Sequence, residues 1–439
     1  MLPLSYLRMP KSDLQINKGE IAHQQSLHGL MDLPRSMAGG WRGLLREESE
    51  HQWLAIAVFF LFILVGAFAL EGTQHFVGDT LKPLDAQHNG GLVLDVEYHE
   101  GNSSYTALVY SPGAGYHFFT EHVDDGTTSI IYTPESNDLG RDVNFVKSMP
   151  DGEIVFSVSD NQLIGLQSNL MVSYEYSTNN GVFGILDVAE QTTDGVTQRL
   201  LLTQEGQNKS FRGVSSLIPT PAMSMTAGIQ WHSVEAHSAG MWLAIGSHST
   251  TAGGDGSSPA SPQTRAALGW IDWDGTETTP VLSRLDVVTY PGQFHTISTL
   301  PTGLVVGGTE TSLHVGMDQE IVDLETPCSI SVTDNEGTVW FIGERGTDTI
   351  ATWDGENLEV HLLSRDVPLD TTAIGTSGDN IHVHGTNADG TPIVWSIDIT
   401  ANGSIESGRG FLSLLFVIGG GVLLAVMGKY AFEQRKALE

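Results

Sequence analysis

A single cysteine, Cys328, and only 20 Lys and Arg against 52 Asp and Glu mark this 439-residue chain. One cysteine excludes an intramolecular disulfide, and its place in an apolar strand pattern is that of a small core residue. The scarcity of positive charge excludes a nucleic-acid partner, because so negative a surface repels phosphate. No HExxH, phosphate-binding loop, nucleophile elbow, CxxC or SxxK is present. Residues 71–410 hold eight arginines, widely separated, so no arginine cluster is available for a carboxylate substrate. A binding role is expected rather than an enzymatic one. Active sites assembled from several loops have no linear signature, and that alternative stays open.

The charge is unevenly placed. Residues 71–410 carry 11 basic and 44 acidic side chains, a net of −33, while the flanking parts are nearly neutral. These carboxylates are spread along the whole segment, as in a solvated acidic coat whose self-repulsion salt screens.

Two long uncharged runs bound the acidic segment. Trp53–Leu70 is predicted to be a transmembrane helix with an interfacial indole at its edge, and Phe411–Met427 a second one. Arg35, Arg42 and Arg46 precede the first run, and Lys429, Arg435 and Lys436 follow the second. The excess of Lys and Arg on cytoplasmic flanks then places both termini inside and residues 71–410 outside. Ala67-Phe68-Ala69 also has the form of a signal-peptide cleavage site, the competing reading of the first run. Gly419-Gly420-Gly421 and Ala425 would let a helix approach closely, either the first helix at Gly66, Ala67 and Ala69 or a second copy.

The expected organisation is a cytoplasmic, largely disordered tail at 1–52, a helix at 53–70 and a connector at 71–90. An extracytoplasmic domain follows at 91–400, then a connector at 401–410, a helix at 411–427 and a cytoplasmic tail at 428–439. A glycine following one apolar strand and preceding another recurs at Gly101, Gly152, Gly195, Gly240, Gly303, Gly337 and Gly378. The intervals are 51, 43, 45, 63, 34 and 41 residues, the spacing of propeller repeats. The longest contains Ser249–Gln263, a Gly/Ser/Pro-rich insertion read as a flexible loop. Ser329–Leu363 displays one complete unit, four short apolar runs separated by Gly- and Asn-bearing turns. The fold class expected is therefore all-β, a propeller of about seven four-stranded blades flanked by two transmembrane helices. The last repeat has three clear strands, and part of Thr73–Leu84 is expected to supply the fourth and lock the ring.

Asp334-Asn335-Glu336-Gly337-Thr338-Val339-Trp340 resembles the Asp-x-x-Gly-x-hydrophobic-Trp turn of two-component-regulator-type propellers. With Thr333, Asn335, Gly337 and Trp340 in its places, it is also similar to the Asp-box turn of sialidase-like propellers. The resemblance covers one repeat and implies the fold. Such turns are structural in those families, so it transfers no catalytic residue.

His382-Val383-His384 sets two imidazoles on one face of a strand, a candidate start of a metal site that His295 or His314 could complete. Asp272-Trp273-Asp274-Gly275 looks like half a calcium loop, but Ser283 stands where the closing glutamate belongs, so a hairpin turn is expected. Asn102, Asn208 and Asn402 head N-glycosylation triplets. The sequence leaves any cofactor unknown. The function expected is a membrane-anchored binding or scaffolding module at the cell surface, its partners the lipid bilayer and a protein, glycan or small ligand. A glycan hydrolase or lyase, and a sensor coupled to a separate membrane partner, are the alternatives.

Overall fold

The computed structural model describes residues 50–438 apart from 73–74, 77, 85–87, 89, 100–103, 114, 123–127, 133–144, 168–169, 225, 252–261 and 277. Most of the expected N-terminal tail, Gly101, Asn102 and the centre of the 249–263 insertion lie outside the described residues. Those described fall into two compact units, one made of the chain's ends, up to Ile63 and from Leu423, the other Leu64–Val422.

The larger unit is an all-β propeller. Its first sheet is β3 (Leu92–His99), β4 (Ser104–Ser111), β5 (Gly115–His122) and β6 (Thr128–Tyr132); the second is β7 (Val146–Ser148), β8 (Ile154–Ser159), β9 (Gln162–Gln167) and β10 (Leu170–Glu175). The third is β11 (Gly184–Thr193), β12 (Val196–Glu205) and β13 (Asn208–Val214); the fourth is β14 (Ile229–Ser238), β15 (Met241–Thr251), β16 (Pro262–Asp272) and β17 (Val281–Pro291). The fifth is β18 (Phe294–Leu300), β19 (Gly303–Gly308), β20 (Leu313–Gly316) and β21 (Ile321–Asp323). The sixth joins β22 (Ile330–Thr333), β23 (Val339–Ile342), β24 (Thr349–Trp353) and β25 (Leu358–Leu363) to a short parallel strand, β1 (His75–Phe76). The last is β26 (Asp370–Ser377), β27 (Asn380–Thr386) and β28 (Pro392–Asp398), completed by β2 (Asp79–Pro83).

Among the described residues six sheets reach four strands or more, so the expectation of about seven four-stranded blades is corrected to six. The exception is β11–β13. Thr220 and Met223 do donate backbone hydrogen bonds along β13, to the carbonyls of Gly213 and Phe211. Pro219 and Pro221 flank Thr220, and a proline offers no N–H to a ladder, so a regular fourth strand does not form.

The first-to-second strand turns among the described residues hold a residue with φ > 0, which glycine adopts without a Cβ clash. Gly152, Gly195, Gly240, Gly303, Gly337 and Gly378 all have positive φ. At Asp334 the turn is tied by its own carboxylate: Oδ1 accepts from the amides of Glu336 (2.9 Å) and Thr338 (2.8 Å), and Oδ2 accepts from Trp340 Nε1 (2.7 Å). Between sheets lie apolar layers, with Trp231, Trp242, Trp270 and Trp395 among the largest fully buried side chains. The apolar layer between the second and third sheets is supplemented by ion pairs: Arg199 Nε donates to Glu190 (2.6 Å) on its own sheet and Nη2 to Glu153 (2.7 Å) beside β8.

The ring is closed by the chain's own start. β2 pairs antiparallel with β28, Asp79 opposite Ile397, and supplies the outer strand of the last sheet. Arg365 adds an ion pair to Asp79 at 2.8 Å. β26 packs against β3, so the last sheet adjoins the first.

Two helices adjoin the propeller, α1 (Glu50–Gly72) and α2 (Ile399–Leu438), so the connector expected over 401–410 is helical. Among the described residues no helix is long and apolar enough to cross a membrane, and the expectation of two transmembrane helices is corrected to that extent. Gly66 packs against the Phe416 ring so closely that a Cβ there would come within 2.0 Å of Cε2.

Replacing residues 75–83 of the full chain by a Gly-Ser stretch of equal length should lower the melting temperature by at least several degrees, at roughly 2 °C per kcal/mol for a domain of this size. An unchanged melting curve would mean that the ring closes without β2.

Candidate functional site: the axial side chains

The inner strands β3, β11, β14, β18 and β26 each slip register against their neighbour, at Val93/Asp95, Ile185/Asp187, Trp231/Ser233, Phe294/Thr296 and Thr371/Ala373, and β14 slips a second time at Ala236/Ser238. A bulge bends the strand and re-aims the side chain that follows. On β3 and β11 that side chain is an aspartate, and both do the same work. Asp95 Oδ1 accepts from its neighbour Val96 (3.0 Å) and Oδ2 from the amide of Val146 on the next sheet (2.7 Å). Asp187 Oδ1 accepts from Val188 (2.8 Å) and Oδ2 from Val234 (2.8 Å), with Ser233 Oγ donating to the same oxygen. Each carboxylate thus satisfies a backbone amide of another inner strand, which has no sheet partner on its axial edge.

Lys147 of β7 joins these strands. Its Nζ lies 3.3 Å from Asp187 Oδ1 and 2.8 Å from Glu235 Oε2, and donates to the carbonyl of Val234 at 2.8 Å. Burial works against the Lys147 charge, but Asp187 and Glu235 outweigh it and hold the ammonium above the ordinary lysine range. Glu97, two residues from Asp95 and on the same face of β3, accepts from the backbone of Ser148. Burial pushes the Glu97 carboxyl up to about 8, with the Asp95 charge adding to the shift. Burial likewise pushes Asp95 up to about 7, against the pull of the Val146 and Val96 amides. Both carboxyls therefore hold their protons to a higher pH than an ordinary carboxylate does. The other side of the ring is lined by hydroxyls: Ser331 Oγ lies 2.7 Å from Ser298 and 3.2 Å from Thr296, and Thr372 Oγ1 donates to the carbonyl of Val93 at 2.6 Å.

The set of Asp95, Glu97, Lys147, Asp187 and Glu235 escapes a motif search because, apart from the Asp95–Glu97 pair on β3, its members stand 40 to 50 residues apart on different sheets. A signal exists in Leu94-Asp95-Val96 and Leu186-Asp187-Val188, where a carboxylate interrupts an apolar strand at matching points of two repeats.

The histidine pair lies elsewhere, at the seam between the last sheet and the first. His382 stacks on Tyr98 (5.3 Å between ring centres) and lies 2.9 Å from Ser396 Oγ through Nδ1. His384 is buried, its Nε2 3.4 Å from Tyr98 Oη. Burial pushes His382 down to about 4, with Lys82 adding to the effect, and His384 down to about 3, with His382 and His88 adding. His295 and His314 belong to the fifth sheet, beside Thr309 and Trp353. Among the described residues no group of three or more His, Cys, Asp and Glu is placed to hold a metal. The Asp272–Gly275 segment is a hairpin turn filled by the Trp273 indole, whose Nε1 donates to the carbonyls of Thr276 and Thr278. Asn208 is exposed at the β12–β13 turn, and Asn402 lies within α2.

The two groups act oppositely on stability. Glu97 and Asp95 bind protons more tightly folded than unfolded, so their contribution is full below about pH 4 and is lost as pH rises through 7 to 8. The seam histidines bind protons less tightly folded, so theirs is full above pH 6.5 and is lost as pH falls towards 4 and 3. Melting temperature against pH should show Glu97→Gln flattening the alkaline limb and His384→Gln the acid limb; unchanged limbs would separate these groups from the pH response.

No family model and no curated protein matches the chain. Among solved structures it is similar to the β-propeller domain of the Trilobed protease from Pyrococcus furiosus, at TM-score 0.44 and 8% identity over 70% of this chain and 95% of that one. It is also similar to a chain of the mitotic checkpoint complex, at TM-score 0.47 and 9% identity over 74% and 92%. Luciferin-regenerating enzyme is a third, at TM-score 0.38 and 13% identity over 73% and 95%. These likenesses concern the fold alone.

Proposed function

We propose that this chain is a binding module held at a membrane by its two helices, and that its axial carboxylates receive a cationic group of a protein, glycan or small ligand. The observation that carries the reading is an imbalance inside the axial set. Lys147 serves Asp187 and Glu235, whereas among the described residues no ion pair reaches Asp95 or Glu97, which keep protons instead. A ligand ammonium or guanidinium would take the place of those protons. In this reading the three-stranded sheet is a shortened seventh blade.

Membrane attachment is supported by the large apolar side chains that α1 and α2 expose, such as Phe60, Leu64 and Phe68 on the first and Leu415, Val417 and Leu424 on the second. The uncharged runs in which they lie are 18 and 17 residues long, and their basic flanks favour cytoplasmic termini with residues 71–410 outside. The chain leaving α1 joins two adjacent sheets, β1 pairing with β25 and β2 with β28, and β28 leads into α2, which gives the sensor alternative a physical basis.

Two measurements test this. In intact cells an impermeant maleimide should label Val360→Cys, on an exposed outer strand, and should label Ala437→Cys only after permeabilisation; the reverse pattern overturns the topology. Full-length protein in detergent should bind spermidine or an oligolysine peptide with release of protons, more tightly at pH 9 than at pH 6, and Glu97→Gln should weaken binding and abolish the proton release. Absence of binding at either pH overturns the ligand class. Turnover of chromogenic glycosides abolished by Glu97→Gln would make the chain a hydrolase instead.

A further inference from the structure

Asn208-Lys209-Ser210, an Asn-x-Ser triplet, falls where β12 turns into β13. The ladder between these strands ends with Glu205 opposite Asn208, so Gly206 and Gln207 form a two-residue tip, and Gly206 has φ 62°. All four residues from Glu205 to Asn208 are exposed, and a Cβ added at Gly206 would meet nothing within 4 Å. A bulky hydrophilic group on Asn208 would therefore extend into solvent without displacing packed atoms.

The serine of the triplet is in the opposite state. Ser210 is 6% exposed, and its Oγ donates to the carbonyl of Met223 at 2.6 Å. An enzyme that reads both the amide and the hydroxyl of the triplet finds the hydroxyl engaged once the chain has folded. It must act before Met223 reaches Ser210.

The place of the triplet gives such a group a role. β13 is the edge of a sheet that has three strands among the described residues, and Thr220 and Met223 cover its Gly213 and Phe211 carbonyls, at the end away from Asn208. An edge strand invites pairing by another chain, and a bulky solvated group at its start hinders that approach.

We propose that Asn208 carries an N-linked oligosaccharide attached to the chain before β13 docks, an inference that rests on the reading of residues 71–410 as outside. In the transfer, Asn208 Nδ2 forms a bond to the anomeric carbon of an oligosaccharide carried on a lipid diphosphate. The bond from that carbon to the diphosphate oxygen breaks, the lipid diphosphate leaves with the electron pair, and Nδ2 gives up one proton.

The test is translation of the full-length chain in the presence of microsomal membranes that contain an oligosaccharyltransferase. Asn208→Gln should lose one glycan relative to wild type, read as a single downward step in mass, while Ser210→Thr, which keeps the hydroxyl, should retain it. The detergent-solubilised transferase with its lipid-linked donor should leave the folded, unglycosylated full-length protein unmodified and should modify a peptide of residues 204–214. In the same microsomes Val360→Cys reports the topology, since a residue in the lumen is shielded from an impermeant maleimide until the membranes are opened. Equal masses for wild type and Asn208→Gln with Val360→Cys shielded would overturn the glycan and leave the topology standing. Labelling of Val360→Cys in closed membranes would overturn both, and modification of the folded protein would overturn the order of events.

Discussion

The pairing of Asp79–Pro83 with Pro392–Asp398 is the constraint on which the propeller depends. A row of sheets that stays open keeps two exposed ends and a seam of apolar surface facing water. Closing it brings together strands more than three hundred residues apart, and the entropy of that closure is offset by one strand's ladder, the Arg365–Asp79 ion pair and the packing of β26 on β3. The axial set inherits this dependence. Asp95 lies on β3, whose position is fixed on one side by the second sheet, through Val146, and on the other by the last, through Thr372.

How much of this the sequence discloses depends on whether the determining contact is local. Turn glycines are legible because the backbone at Gly152, Gly195 and Gly337 demands positive φ within a few residues of the strands it joins. The Asp334 turn is legible for the same reason, since its carboxylate bonds only to residues 336, 338 and 340. The closing strand is legible from a missing partner, because three strands where four recur imply a donor elsewhere. What fails is whatever the ring alone assembles. Nothing near Lys147 in the chain foretells Glu235, and nothing near Asp187 foretells Val234. The shortened third sheet fails for a different reason: Phe211–Met223 has apolar residues enough for a fourth strand, and it is Pro219 and Pro221 that deny it a ladder.

Charge works at three scales in this molecule. Over the whole outer segment an excess of carboxylates repels other copies and nucleic acid. At the axis, burial disfavours the ionised forms of Glu97 and Asp95 and pushes both carboxyls up. Along residues 101–120, 213–234 and 287–309 it omits charge altogether.

The passage from sheet to helix is also built rather than improvised. Asp398 ends β28 and caps α2, its Oδ1 accepting from the amide and the hydroxyl of Thr400 (2.9 and 2.7 Å), while its own amide donates to Gly78 and that of Ile399 to Asp379. No flexible residue intervenes between the strand that receives β2 and a helix of 40 residues. At 1.5 Å per residue, the part of α2 that precedes Phe411 is about 18 Å long, a helical stalk where a loose connector would have been enough for tethering alone. The helix therefore starts on the same sheet whose inner strand, β26, packs against β3 at the seam.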